Sequence, residues 1–153
     1  MLQVPPNNLD QFIVDLSGGG PVTSTLNRLY DPTTIDQTQG YQLKPGAFVL
    51  GETDQRVKLT LPEDFPPAAQ GRPCLAARIE GRSSFARFGL LVHFTAPTIQ
   101  AGFEGTIKLE IKNLGPATIV LKRGLAIAQL VIEEVVGSPI DKPSQFQGQG
   151  SSP

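Results

Sequence analysis

A small all-β domain, built as a sandwich, barrel or jelly roll, is the fold this sequence predicts, and three observations predict it. Glycine and proline are plentiful, at 16 and 14 of 153 residues, and they punctuate short apolar runs, which favours many turns over long helices. Two stretches alternate with a period of two. In one, Val57, Leu59 and Leu61 oppose Lys58 and Thr60; in the other, Ile107, Leu109 and Ile111 oppose Thr106, Lys108, Glu110 and Lys112. Such alternation marks strands with one buried face. Finally, no helical period of ordinary length is present, and a single short helix over 84–88 is expected.

Length and composition set further bounds. At 153 residues and 39% apolar content, the chain is expected to form one domain over 1–136 with one core, followed by a polar tail over 137–153 that has no reason to fold alone. The net charge of −1 gives no global attraction to nucleic acid or to acidic membranes, so any anion site must be a local cluster of cations. A single cysteine, Cys74, rules out an internal disulfide and points to the cytoplasm. No apolar run approaches the roughly 20 residues needed to span a bilayer, and the opening MLQVPPNNLD lacks the regions of a signal peptide.

Taken in order, residues 1–40 are the least patterned. Residues 12–16 (FIVDL) are a candidate strand running into the break Ser17-Gly18-Gly19-Gly20-Pro21, and 23–39 are expected to be loop with at most one short strand. Tyr41 opens better-patterned sequence. Lys44-Pro45-Gly46 has the composition of a turn, and 47–51 and 56–61 read as two strands. Three prolines and a glycine make 64–73 a surface loop. A short strand over 75–79 follows. Ser83 or Ser84 is a good N-cap and Gly89 a good C′ residue, and Phe85 and Phe88 would share a helical face. The apolar run 90–94 around His93 reads as a buried strand. Pro97 and Gly102 bracket a turn before the alternating strand 106–112. Asn113-Leu114-Gly115-Pro116 is a turn, 117–121 a strand, Lys122-Arg123-Gly124 a turn, and 125–136 one or two strands more.

The stretch 80–110 concentrates the candidate chemistry. Arg82-Ser83-Ser84 puts a guanidinium and two hydroxyls at a helix start, donors suited to phosphate oxygens; an ordinary capping motif with a solvated arginine is the competing reading, and spacing alone favours it. Glu110 could be a general acid/base if burial raises its pKa, but by spacing alone it reads first as a solvated carboxylate paired with Lys108 and Lys112. His93 reads as a satisfied core histidine. With one His and one Cys, the N/S ligand set of a zinc site cannot be assembled, and the zinc deaminase signature, the P-loop, GxGxxG and GxSxG are absent.

The run GRSSFARFGLLVHFTAPTIQAGFEGTIKLEIKN resembles the core of the dCTP deaminases, relatives of the trimeric dUTPases. LKPGAFVLGET and VKLTLPEDF before it, and GLAIAQLVIEEV and FQGQG after it, are similar too. The likeness covers 42–135, with the tail more weakly matched and 1–40 poorly matched. It implies a dUTPase-like distorted jelly-roll or β-clip barrel forming a homotrimer with sites at subunit interfaces. The implied activity is zinc-independent hydrolytic deamination of dCTP to dUTP and ammonia, with Mg²⁺ accompanying the triphosphate. Residue by residue, the resemblance implies that Arg82, Ser83 and Ser84 bind phosphates. Arg87 would hold the attacking water and the essential acid, and the Ala96 backbone would contribute to that water site. Phe103 would pack on the deoxyribose, Lys108 and Leu109 would line the substrate, Glu110 would be the catalytic carboxylate, and Gln149 would close over the nucleotide.

Gln100 departs from the family, which usually carries Asp there. In the dUTPases that Asp activates water for pyrophosphate cleavage, and a neutral amide is no general base. In the deaminases it mainly contacts the sugar, so Gln100 is expected to bind substrate in an altered way. Deamination is therefore the leading expectation. The alternatives are a dUTPase or bifunctional enzyme, and a catalytically silent nucleotide-binding or structural member of the fold.

Overall fold

The computed structural model describes residues 1–6, 14, 22–64, 71–137 and 139. These form ten strands in three antiparallel sheets, with two short α-helices and one 3-10 turn at Pro62–Asp64. The all-β expectation is met. The expected strand 12–16 apart from Val14, the break at 17–21, the middle of the 64–73 loop and the tail carrying Gln149 lie outside the described residues.

The longest ladder positions the site. Strand β4 (Phe48–Lys58) pairs with β8 (Glu104–Asn113), and in β8 the apolar Ile107, Leu109 and Ile111 are buried while Lys108, Glu110 and Lys112 are half-buried on the opposite face. Strand β1 (Leu2–Val4) joins β4, and β2 (Asp31–Thr33) joins β1; β6 (Leu90–Val92) closes the other side of β8. The second sheet sets β5 (Leu75–Gly81) between β7 (Thr98–Ile99) and β10 (Ala128–Glu134), and the third pairs β3 (Tyr41–Leu43) with β9 (Ile119–Leu121). Their inward faces meet in one core, which includes Leu43, Val49, Ile79, Val92, Leu109 and Leu121. No helix among the described residues is long and apolar enough to cross a membrane.

The structure corrects several sequence-based expectations. The two strands expected over 47–51 and 56–61 are mostly one, β4. The polar residues between them stay in the sheet as a bulge, with the register shifting between Glu52 and Arg56. Thr53 sustains it: its hydroxyl accepts from the Ile107 amide at 2.9 Å and donates to the Gln55 carbonyl at 2.8 Å, replacing ladder partners the bulge removes. The polar stretch 23–39 contains helix α1 (Val22–Leu29) as well as β2, so there are two α-helices rather than one. Leu26 and Leu29, at i and i+3, are its half-buried apolar residues, a short stripe beside polar Thr and Asn.

The expected helix 84–88 is α2 (Ser83–Ala86), shorter and earlier. Its N-cap is Arg82, with no side-chain capping bond, rather than either serine. Because α2 ends at Ala86, Phe85 packs against the core while Phe88 is exposed, and the two share no helical face. Strand β6 stops at Val92 because His93 takes a left-handed φ of 53°. The turn expected between Pro97 and Gly102 holds the two-residue strand β7.

Asn113, expected in a turn, ends β8 fully buried. Its amide nitrogen donates to the Leu43 carbonyl at 2.9 Å and the Ala117 carbonyl at 2.8 Å, and its oxygen accepts from the Gly115 amide at 2.9 Å. One side chain thus ties β3, the end of β8 and the approach to β9 together.

Candidate active site

Glu110 stands on the face of β8 turned away from the core, opposite Leu50 of β4. The spacing suggested that Lys108 and Lys112, two residues away on either side, pair with it. The structure places both ammonium groups elsewhere. Lys108 Nζ donates to Glu52 Oε2 at 2.6 Å, and Lys112 Nζ donates to the Gly46 carbonyl at 2.6 Å. Among the described residues none of the ion pairs includes Glu110. What reaches it instead is a hydroxyl: Thr95 Oγ1 donates to Glu110 Oε2 at 2.9 Å.

The backbone explains how Thr95 arrives there. The His93 amide donates to the Glu110 carbonyl at 2.7 Å, the last bond of the β6–β8 ladder. The left-handed turn at His93 then takes the chain out of the strand direction, and Thr95 stands two residues on. His93 is half-buried, and its Nδ1 is buried with no hydrogen-bond partner, so it is not the satisfied core histidine the sequence suggested.

A third group faces the same carboxylate. The Tyr30 ring, just beyond α1, packs on Phe48 with centroids 6.3 Å apart and planes tilted by 47°. Phe48 stands opposite Lys112, next along from the Leu50–Glu110 pair on that face. Burial pushes the Tyr30 phenol up, and the Glu110 charge pushes it further, so the hydroxyl stays protonated beside the acid. Next along the other way, burial pushes the Glu52 carboxyl up, but hydrogen bonds from Lys108 and Thr106 together outweigh it and hold the group below the ordinary carboxylate range.

The expected phosphate-binding segment lies at the other end of β6. Arg82, Ser83, Ser84 and Arg87 are all exposed. Arg82 is anchored to the turn before β10: its amide donates to the Ile127 carbonyl at 3.3 Å and its guanidinium to the Ala126 carbonyl at 3.2 Å. Two glycines fix α2 on the sheet. A Cβ on Gly89 would stand 2.1 Å from the Gly115 nitrogen, and one on Gly115 would stand 2.0 Å from the Phe88 carbonyl oxygen. The Leu114 amide bonds the Gly89 carbonyl at 2.8 Å across this junction. Leu90 pairs with Asn113, three residues along β8 from Glu110. At about 3.4 Å per residue, that puts the α2 junction roughly 10 Å from Glu110 along the strand.

The remaining expected residues divide. Ala96 is exposed and directly follows Thr95, which brings it beside Glu110; Gln100 is exposed after β7. Phe103 and Leu109 are buried in the core, and the Lys108 side chain is committed to Glu52. Gln149 lies outside the described residues. A concavity of about 370 Å³ lies between the chain start, the β4 bulge and the 121–128 segment; of the expected site residues only Leu109 lines it, and Glu52 stands at its edge. Sequence reasoning missed Thr95, Glu52 and Tyr30. Only the β4–β8 register, which sequence does not give, identifies Glu52 as the partner of Lys108.

The family model described as dCTP deaminase-like matches residues 13–135. A dCTP deaminase of Natronomonas pharaonis is 38% identical over 125 residues, covering 78% of this chain and 57% of that protein. A protein of Methanosphaera stadtmanae described as "dCTP deaminase, dUMP-forming" is 37% identical over 164 residues, covering 96% of this chain and 77% of that one. The chain spans 57% of the length of the Natronomonas protein and 60% of a similar Rhodospirillum rubrum dCTP deaminase. Among solved structures, the native dUTPase of EIAV covers 75% of this chain and 91% of its own at a TM-score of 0.38 and 20% identity, too slight a likeness to argue from. The sequence match over most of the described strands is enough: the chain belongs to the dCTP deaminase-like family.

Proposed function

We propose that this protein is a zinc-independent dCTP deaminase in which Glu110 is the catalytic acid/base. The observation that carries the reading is the freedom of Glu110 from its flanking lysines, with a hydroxyl rather than a cation on its oxygen. A carboxylate locked to an ammonium is a poor proton acceptor, because the cation favours the ionised form; a single neutral donor favours it less. In the reaction Glu110 takes a proton from water as the oxygen adds to C4 of cytosine, and passes it to N3. The tetrahedral carbon then collapses, the bond from C4 to the exocyclic nitrogen breaks, and the hydroxyl proton leaves with it, through Glu110, as ammonia. The Ala96 backbone, next to Thr95, would help hold the water.

We further propose that Arg82, Ser83, Ser84 and Arg87 serve a neighbouring chain's Glu110, in a homotrimer with sites between subunits. Two features support this. Within one chain α2 and Glu110 sit at opposite ends of β6, and β10 presents the exposed apolar side chains Leu130 and Ile132, suited to burial against another copy. Magnesium is assigned to the triphosphate oxygens, as a hard cation that favours phosphate over a dedicated protein cage.

The test is incubation with dCTP and Mg²⁺, measuring dUTP and ammonia. The wild type should release both in equal amounts, and Glu110→Gln should lose about 10³-fold or more in rate with its fold intact. Binding of dCTP without turnover by the wild type would overturn the catalytic assignment. A second reading, further conversion to dUMP, is favoured by the description of the Methanosphaera relative; pyrophosphate appearing with ammonia would establish it.

A further inference from the structure

The two lysines beside Glu110 raise a physical problem that the sheet itself resolves. On one strand face, side chains at i±2 stand about 7 Å apart at the backbone, within the reach of a lysine. Lys108 and Lys112 therefore both have the length to close on Glu110. Either would hold that carboxylate ionised and occupied, and a base so held accepts protons poorly. Lys112 is withdrawn by the carbonyl of Gly46 in the turn before β4. Lys108 is withdrawn by Glu52, directly opposite across the β4–β8 ladder.

We propose that Glu52 is a positioning residue for the deamination reaction, whose role is to hold the Lys108 ammonium away from Glu110. The inference rests on the assignment of Glu110 as the acid/base. Three observations carry it. Glu52 is the more buried member of the pair, its side chain 17% exposed against 35% for Lys108, so it is the fixed anchor and the lysine the mobile arm. Both its oxygens are engaged, Oε1 by the Thr106 hydroxyl at 2.6 Å and Oε2 by Lys108 at 2.6 Å, so its carboxylate points along β8 away from Glu110. And Glu52 is the last β4 residue in register before the bulge, which the Thr53 hydroxyl pins to the Ile107 amide; the bulge therefore fixes where that carboxylate stands.

The groups set around Glu110 by each packed element can be named: His93 at the end of β6, whose amide bonds the Glu110 carbonyl, the Thr95 hydroxyl from the segment after it, the Tyr30 phenol from the end of α1, and Lys108 and Lys112 on β8 itself. On β4 the directly opposite residue is the apolar Leu50. Facing Glu52 are Lys108, Thr106 and, at longer range, the amino group of Met1. Removing the Glu52 charge leaves Lys108 with Glu110 as the neighbouring carboxylate on that face.

The experiment compares wild type, Glu52→Gln, Lys108→Met and the double variant, each full length. Two readouts are taken: the Glu110 side-chain carboxyl titration by carbon NMR, and the pH profile of dCTP deamination. In Glu52→Gln the Glu110 titration should move down by about one unit or more. The acid limb of kcat should move with it, and kcat at neutral pH should fall about tenfold. In the double variant both should return toward wild type, which lost packing alone would not produce. Lys108→Met alone should leave the Glu110 titration in place, since in the wild type that ammonium is bonded to Glu52; a rise there would overturn the proposal even if Glu52→Gln fails to fold. A folded Glu52→Gln variant with wild-type Glu110 titration would also overturn it. The NMR readout needs no turnover, so a shifted titration in a chain that does not deaminate dCTP would sink the functional reading and leave the positioning role standing.

Discussion

Glu110 and the Arg82–Arg87 segment are the two regions a nucleotide deaminase needs, and the fold treats them in opposite ways. Glu110 is half-buried and enclosed by side chains from three elements: Thr95 after β6, Tyr30 after α1 and Leu50 on β4. Its competing cations are already assigned. The α2 segment is exposed on every polar residue, and it is held through Gly89 against Gly115, the Phe85 ring on the core and the Arg82 bonds, one from its amide and one from its guanidinium, to the 126–127 carbonyls. Under the proposed roles, the reacting group is arranged within one chain, whereas the anion-binding group is presented outward for another molecule to complete.

That contrast can be broken from either side. The largest effect is expected at the backbone junction. Gly115→Ala sets a methyl group 2.0 Å from the Phe88 carbonyl oxygen, and backbone cannot yield as a side chain can. A loss of about 2–3 kcal/mol in urea unfolding is expected, together with weakened dCTP binding. If α2 alone shifts and stability holds, the junction positions the helix without supporting the sheet. Arg82→Ala should act on binding only, raising KM for dCTP about ten- to a hundredfold, the worth of a charge-assisted bond, with kcat and Tm nearly unchanged. Thr95→Val should do the reverse, lowering kcat about five- to tenfold, as expected for about 1 kcal/mol of lost hydrogen bonding, with KM nearly constant. Effects of both variants on the same constant would erase the distinction between the regions.

The smallest expected effect is on acid stability. Glu52 carries a lowered folded-state pKa, so it binds its proton more readily unfolded than folded. The stability it supplies is complete above the unfolded value of about 4.5. It declines as pH falls through the lower, folded value. Urea midpoints measured down a pH series should therefore fall more steeply below that point for wild type than for Glu52→Gln.

Much of the fold is legible in the sequence because the β8 alternation is clean and because Gly89, Gly46 and Gly115 fall where turns demand them. What is not legible has identifiable causes. The bulge in β4 reads as a loop because Glu52, Thr53, Asp54 and Gln55 are polar, yet Thr53 supplies the missing sheet bonds with its hydroxyl. Helix α1 is hidden because its half-buried apolar residues are only Leu26 and Leu29 and its sequence holds Thr and Asn, weak helix formers. Asn113 looks like a turn residue by type, and its burial depends on three partners, the Leu43 carbonyl on β3 and, within four residues, the Gly115 amide and the Ala117 carbonyl. At the site, Glu110 and Arg82 carry the family resemblance, but the commitment of Lys108 and Lys112 to other acceptors is a matter of register and reach. Single-strand spacing gives the wrong partner for both.

The meeting of Gly89 and Gly115 also sets a rule for how this protein can vary. Two turns from different hairpins are keyed to each other with no side chain between them, so neither can lengthen alone. A one-residue insertion between 86 and 89 would unseat α2 while leaving every ladder intact, and under the proposed roles the result would be a folded chain that binds triphosphate weakly.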